Sequence, residues 1–222
     1  AYFYTGLTEG LLIVCPMTVM SVWHKELETH CPCEYDLIEV DAKTRLDRVR
    51  FTKERLTVLL VGVESLSAGK TFANLLPLMR ARRISMIVDE SSRIKNHASN
   101  RTKAVIALGE NSPAKTLMSG TPVTRNLIDL YSQFEFLDKD IIGIGDWYAF
   151  RNRYAIMGGY KMKKIVGYDH IDELLGLLRP NTVRYKLTDV RSLPPKIYTE
   201  RVVQLTPDQR TMMMDHEVDL RA

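Results

Sequence analysis

No apolar run in this 222-residue chain approaches the roughly 20 residues that a membrane-spanning helix requires. The N-terminus has no basic segment leading into an apolar core, so nothing there reads as a secretory signal. The expectation is a soluble, cytoplasmic protein. Cysteine is scarce: Cys15, Cys31 and Cys33 are an odd set that gives no disulfide framework and fits a reducing compartment. His30, Cys31 and Cys33 look like metal ligands only superficially, because a structural zinc site takes four ligands and no second pair follows at suitable spacing. A charge of one sign is lacking too. Lys and Arg total 31 against 27 Asp and Glu, a net +4, so any attraction for nucleic acid must come from local placement. Low-complexity segments and internal repeats are absent. A phosphate loop is missing as well: Gly69-Lys70-Thr71 follows a strand-like run, but the glycine needed five positions before Gly69 is Glu64. Gly69 to Thr71 is therefore read as a helix entry.

What is present is alternation. The apolar runs Leu11 to Cys15, Val58 to Val63, Ile84 to Val88 and Thr116 to Met118 are each followed by turn residues and helical patterning. That order predicts a parallel sheet covered by helices, an α/β fold. After Pro16, Val19, Val22, Trp23 and Leu27 fall at helical spacing on one face. Tyr35 to Val40 is a further predicted strand. Further helices are predicted around Arg45 to Glu54, Phe72 to Ala81, Arg101 to Leu108 and Leu127 to Leu137. After Asp138, glycines punctuate short aromatic and basic segments, which predicts a small appendage: a helix near Trp147 to Tyr154, a hairpin near Tyr160 to Tyr168 and a helix near Ile171 to Leu178. Arg151, Arg153, Lys161, Lys163 and Lys164, set among tyrosines, form its candidate basic surface. Pro194 and Pro195 mark a boundary, after which Ile197 to Leu205 alternates like a strand and a helix starts beyond Pro207.

The run Ile84 to Val88 ends on adjacent carboxylates, Asp89 and Glu90. A buried parallel strand delivers such residues to the carboxyl edge of the sheet, where open α/β sheets bind ligands. There the first acid can hold Mg²⁺ through water and the second can orient or deprotonate an attacking water. An isolated Asp-Glu more often just opens a solvated loop, so the pair decides nothing alone. Met118-Ser119-Gly120-Thr121-Pro122 takes a second strand into small hydroxyl residues at the same edge, either to sense phosphate or as an ordinary turn.

Order across five segments is more specific than any one of them. "LIVCPMTVMSVW" from Leu12, the stretch Val61 to Leu66, "DESSRIKN" from Asp89, "MSGTPVTRNLIDLYSQFEFL" from Met118 and "LPPKIYTERVVQLTPDQ" from Leu193 resemble, in order, motifs Ia, Ib, II and III and the exit passage of the first lobe in the Swi/Snf-like family of superfamily-two helicase-type ATPases. The resemblance implies a RecA-like fold with ATP and Mg²⁺ as cofactors and duplex DNA as partner. It implies that Asp89 contributes to the Mg²⁺ site through water, that Glu90 is catalytic and polarises the attacking water, and that Ser119 and Thr121 couple nucleotide state to motion. Pro16, Thr18, Trp23, Lys95 and Asn96 match positions that contact or position the DNA backbone; Trp23 is as well placed to be core.

Two departures qualify the match. Motif II usually carries histidine fourth, where this chain has Ser92, and Ala1 to Gly10 contains no Gly-Lys-Thr. The organisation expected is residues 1–138 as a first lobe lacking its Walker A segment, 139–192 as a family-type protrusion and 193–222 as a passage toward a second RecA-like lobe. The compact motif spacing resembles phage or bacterial members. The competing expectation is a catalytically silent DNA- or protein-binding module on the same fold.

Overall fold

The computed structural model describes residues 3–123, 126–162, 164–185, 189 and 197–219. Five parallel strands form the main sheet: β1 (Gly10–Cys15), β2 (Tyr35–Val40), β3 (Leu56–Gly62), β4 (Ile84–Val88) and β5 (Lys115–Leu117), in the order β2-β3-β1-β4-β5. Central strands buried on both faces read as unbroken apolar runs, and their period-2 alternation divides the core between two faces. Leu12 and Val14 of β1, with Leu59 and Val61 of β3, join the cluster beneath α2 (Lys70–Ala81) and α3 (Asn100–Gly109). Ile13 and Cys15, with Val58 and Leu60, join the cluster beneath α1 (Met20–His30). Register sets Val14 against both Val61 and Val88, and Val88 against Leu117, so the four strands end in one row.

From β1 the chain crosses to β2 and β3 on one side, and from β4 it continues to β5 on the other. The topological switch point therefore lies between the carboxyl ends of β1 and β4, where a crevice is expected.

The helix predicted over Arg45 to Glu54 does not form; the segment holds a single 3-10 turn, Leu46–Arg48. The polar groups are satisfied locally instead. Thr44 Oγ1 and Asp41 exchange hydrogen bonds, and Arg45 pairs with Asp47 two residues on, a spacing that does not meet across an α-helix. Val22, placed on the inner face of α1 by its spacing, is half exposed. Gly69 takes a left-handed φ of +80° at the head of α2, which makes Gly69-Lys70-Thr71 a helix entry.

A second apolar cluster gathers α4 (Leu130–Leu137), α5 (Lys139–Ile142), α6 (Trp147–Tyr154), a two-stranded antiparallel ribbon of β6 (Ala155–Gly158) and β7 (Lys164–Tyr168), and α7 (Ile171–Leu178). Helix α4 serves both clusters: Phe136 packs into the sheet's core, Tyr131 and Phe134 into the second. Within this part Arg153 forks onto Glu173, whose carboxyl is pushed down to about 2 by that pairing and by the Tyr154 hydroxyl. Arg151 lies over Trp147 and Tyr148, and Lys161 lies over its neighbour Tyr160. Three members of the candidate basic surface thus have partners inside the fold, Lys164 is exposed, and Lys163 falls outside the described residues.

This compact unit ends at Thr182, and residues 183–222 form a separate unit. There the run Ile197 to Leu205, predicted as a strand, is exposed coil, and Pro207–Asp219 is helical. Alternation supplies a strand's faces but not a ladder partner, and the described residues of this unit supply none. Pro194 and Pro195 lie outside the described residues. Among the described residues no helix is long and apolar enough to cross a membrane.

Candidate active site

The row of strand ends brings together the segments that follow β1, β3, β4 and β5. After β4, the Asp89 N–H donates to Val14 O of β1 and the Ser91 N–H donates to Met118 O beyond β5. In a regular strand, N–H groups two residues apart point to the same side; here they serve opposite neighbours, so the backbone must turn sharply between them. Glu90 makes that turn with φ 48° and ψ 56°. A left-handed conformation costs an L side chain roughly 1–2 kcal/mol, and such strain collects at functional sites. Glu90→Gly should therefore raise thermal stability by about 0.5–1 kcal/mol, the relieved strain less the added freedom of the unfolded chain, a shift of about 1–4 °C. A melting curve that falls instead would mean that the turn is unstrained.

Asp89 is half-buried and Glu90 exposed. The Glu90 N–H donates to Asp89 Oδ1 at 2.8 Å, and the Trp23 indole Nε1–H donates to Asp89 Oδ2 at 3.1 Å. Both oxygens of the carboxylate are thereby oriented. Next to it, the Glu64 carboxylate accepts the Met17 N–H at 3.1 Å and lies 3.8 Å from the Arg93 guanidinium. Burial, reinforced by the charges of Asp89 and Glu64, pushes the Cys15 thiol up to about 12, so Cys15 stays protonated beneath the site.

Ser91 ties the segment after β4 to the segment after β5. Its Oγ donates to Gln133 Oε1 at 2.6 Å, while Gln133 Nε2 donates to Pro122 O and Asp129 O, both at 2.8 Å. Ser91 and Gln133 are almost fully buried. One amide thus ties the Asp89–Ser91 corner to the loop that carries Ser119 and Thr121. The same stretch is anchored through Ile94 O, which accepts from Thr102 Oγ1 and Ser132 Oγ. Removing the amide strands the buried Ser91 hydroxyl and two partly buried carbonyls; a buried polar group left without its partner costs about 1–3 kcal/mol. Gln133→Leu should lower unfolding free energy by about 2–4 kcal/mol in a urea titration with unchanged slope; a loss below about 0.5 kcal/mol would show that this linkage is slack.

Sequence reasoning missed Gln133 and Glu64. For Gln133 the signal was legible: apart from Glu135, Ser132-Gln133 is the polar interruption of an eight-residue helix that is mostly apolar and buried nearly all round. For Glu64, only its incompatibility with a phosphate loop was noticed.

A model of the SNF2-related domain matches residues 3–218. The chain belongs to the SNF2-related domain family. Its relatives include the mouse (Mus musculus) DNA annealing helicase and endonuclease ZRANB3, 29% identical over 93% of this chain and 19% of that protein. The ISWI chromatin-remodeling complex ATPase ISW2 of Saccharomyces cerevisiae is 30% identical over 93% of this chain and 18% of its own length. Among solved structures, the SWI2/SNF2 ATPase core of Sulfolobus solfataricus in complex with dsDNA superposes with a TM-score of 0.58 at 22% identity, covering 99% of this chain and 43% of that one. The chain spans under a fifth of these two curated relatives and less than half of the solved core. The RecA-like parallel sheet expected from the motifs is the fold found. Neither relative nor the solved core speaks for a phage or bacterial type.

Within this SNF2-related domain, Asp89, Glu90, Ser119 and Thr121 share one edge. The Thr121 N–H donates to Ser119 Oγ at 3.1 Å; Ser119 is half-buried and Thr121 exposed. The other residues fare differently. Thr18 is exposed in the 3-10 turn Met17–Val19. Pro16 is buried, so its ring is largely covered, and it contributes a φ of −59° at the head of that turn. Trp23 is half-buried against the α1-side core with its N–H on Asp89. Lys95 Nζ lies 3.6 Å from Asp129, and Asn96 Oδ1 accepts the Ala98 N–H, so both are engaged in local structure.

Proposed function

We propose that this SNF2-related domain is the first RecA-like lobe of an ATP-hydrolysing motor that moves on duplex DNA. The observation that supports this most is the corner at Asp89 and Glu90, a strained, doubly clamped strand end at the sheet's switch point that presents two carboxylates with different surroundings. Among the described residues no three His, Cys, Asp or Glu side chains are grouped to cage a metal. A single oriented carboxylate suits Mg²⁺, which is commonly held by one or two carboxylates together with substrate phosphates. Asp89 would hold it, and the bound ion would neutralise charge on the phosphates. Glu90, exposed on the turn, would orient an attacking water and draw on its proton. Ser119 and Thr121 read the nucleotide's state, and Gln133 passes it between their loop and the Asp89–Ser91 corner. Thr18 faces outward to meet the DNA backbone, with Pro16 shaping its turn. Phosphate contacts of that kind give salt-sensitive, sequence-tolerant binding.

In this reading the phosphate-binding loop and the opposing arginines come from polypeptide outside these 222 residues, the latter from a second RecA-like lobe. Residues 139–192 act as the protrusion and 193–222 as the passage onward. Hydrolysis by the intact protein, measured with and without duplex DNA and across salt concentrations, tests it: DNA-stimulated, Mg²⁺-dependent turnover that weakens with salt is expected. Duplex binding without any turnover would favour the silent module, for which Ser92 in place of histidine is the specific observation.

A further inference from the structure

We infer that Trp23 is a positioning residue for Asp89, the link through which the segment carrying Thr18 and the Mg²⁺-binding carboxylate act on each other. The inference rests on the nucleotide-site reading of Asp89 and adds a role that the motif match gave to DNA contact or core.

Three observations carry it. The indole ring packs against the apolar cluster on the α1 side of the sheet, which includes Ile13, Cys15 and Leu27, so the ring is seated in the fold. Its one polar atom is used on Asp89 Oδ2 at 3.1 Å. The other carboxylate oxygen is held by the Glu90 N–H, a backbone group fixed by the clamped turn, so among the described residues the Trp23 bond is the hydrogen bond to the Asp89 carboxylate that comes from another element. Asp89 follows β4 and Trp23 lies in the first turn of α1, with the Thr18 turn immediately before that helix. Met17 at the start of the turn is bonded to Glu64. The segment from Met17 to Trp23 is therefore fastened to two acids of the site, one at each end. Any displacement of this segment by DNA pulls on the donor that orients Asp89, and any reorientation of Asp89 pushes back, since coupling between two binding events is reciprocal.

Groups that orient a metal ligand through a hydrogen bond commonly change metal affinity or activity 10–100-fold when removed. Trp23→Phe keeps an aromatic ring in the cluster and removes the N–H donor; benzothienylalanine at position 23 keeps the two-ring shape and also lacks the donor. In the intact protein, a fluorescent ATP analogue titrated with Mg²⁺ reads the half-saturating metal concentration, and labelled duplex DNA without nucleotide reads DNA affinity. Both substitutions should raise the Mg²⁺ requirement about 10-fold, leave nucleotide-free DNA affinity within about 2-fold, and shrink any effect of DNA on nucleotide affinity. Neither should add to the defect of Asp89→Asn. An unshifted Mg²⁺ curve overturns the inference, and so does a loss of DNA affinity with normal Mg²⁺ dependence, which would make Trp23 a DNA contact. If the wild-type protein shows no Mg²⁺-dependent nucleotide binding, the nucleotide-site reading fails first and this role falls with it.

Discussion

Glu90→Gln, made in the intact protein, should reduce DNA-stimulated ATP hydrolysis about 100-fold or more while nucleotide and DNA still bind, the scale of losing a positioned general base. The amide keeps the volume and can still hydrogen-bond, but it neither takes a proton nor presents full negative charge to water. Nothing in the packing depends on the carboxylate: Glu90 is exposed, and its backbone alone makes the bonds to Asp89 and Arg93. A fall in turnover would therefore report chemistry rather than misfolding. Asp89→Ala should behave differently, weakening Mg²⁺-dependent nucleotide binding itself by about 10-fold or more, because it removes the charge at the metal position together with the acceptor for Trp23. Paired measurements of turnover and nucleotide affinity separate the two. Near-normal hydrolysis by Glu90→Gln would remove the strand end from the catalytic centre and leave the silent-module reading in its place.

The 222-residue chain alone should hydrolyse ATP at no more than about a thousandth of the intact protein's DNA-stimulated rate. Phosphoryl transfer is mostly positioning and charge stabilisation, and an arginine supplied from across the site is by itself worth about 10³–10⁵ in rate. The chain offers carboxylates, hydroxyls and a clamped turn, but its one Gly-Lys-Thr lies at the entry to α2 with Thr71 buried in the helix, so it does not form a phosphate cradle. A steady-state assay of the purified chain with saturating duplex DNA checks this. Robust stimulated turnover would show that the phosphate contacts lie within these residues and have been assigned to the wrong polypeptide.

The legible parts of the fold were those governed by burial alone. Ile84 to Val88 and Trp147 to Tyr154 occupy the expected spans, because a strand buried on both faces and a helix packed through Phe150 and Tyr154 leave a strong apolar pattern. The Arg45 to Glu54 connection misled because charged residues of good helix propensity gave no sign that side chains two apart would pair and hold a tight turn. Ile197 to Leu205 misled for a different reason, since alternation records faces and says nothing about a neighbour to bond with. At the site, the strand ends alone gave the edge where Asp89, Glu90, Ser119 and Thr121 gather. The bonds that organise that edge span long sequence distances, 66 residues from Trp23 to Asp89 and 42 from Ser91 to Gln133, and no local pattern encodes them. Trp23 shows the limit most clearly: helical spacing gives its apolar face, while the target of its N–H is set only when β1 and β4 lie side by side.

The site's location can be measured without reference to catalysis. The chain has two tryptophans, Trp23 and Trp147, and only Trp23 bonds the carboxylate assigned to the metal. With ¹⁵N-labelled indoles in the intact protein, assigned by Trp23→Phe and Trp147→Phe, Mn²⁺ in place of Mg²⁺ acts as a paramagnetic probe. Titration of Mn²⁺ with ATP should broaden the Trp23 indole resonance away at concentrations that leave Trp147 sharp, and Asp89→Ala should abolish that broadening. Broadening of Trp147 ahead of Trp23, or an unchanged Trp23 signal under conditions where Mn²⁺ and ATP are bound, would contradict the placement of the metal at the end of β4.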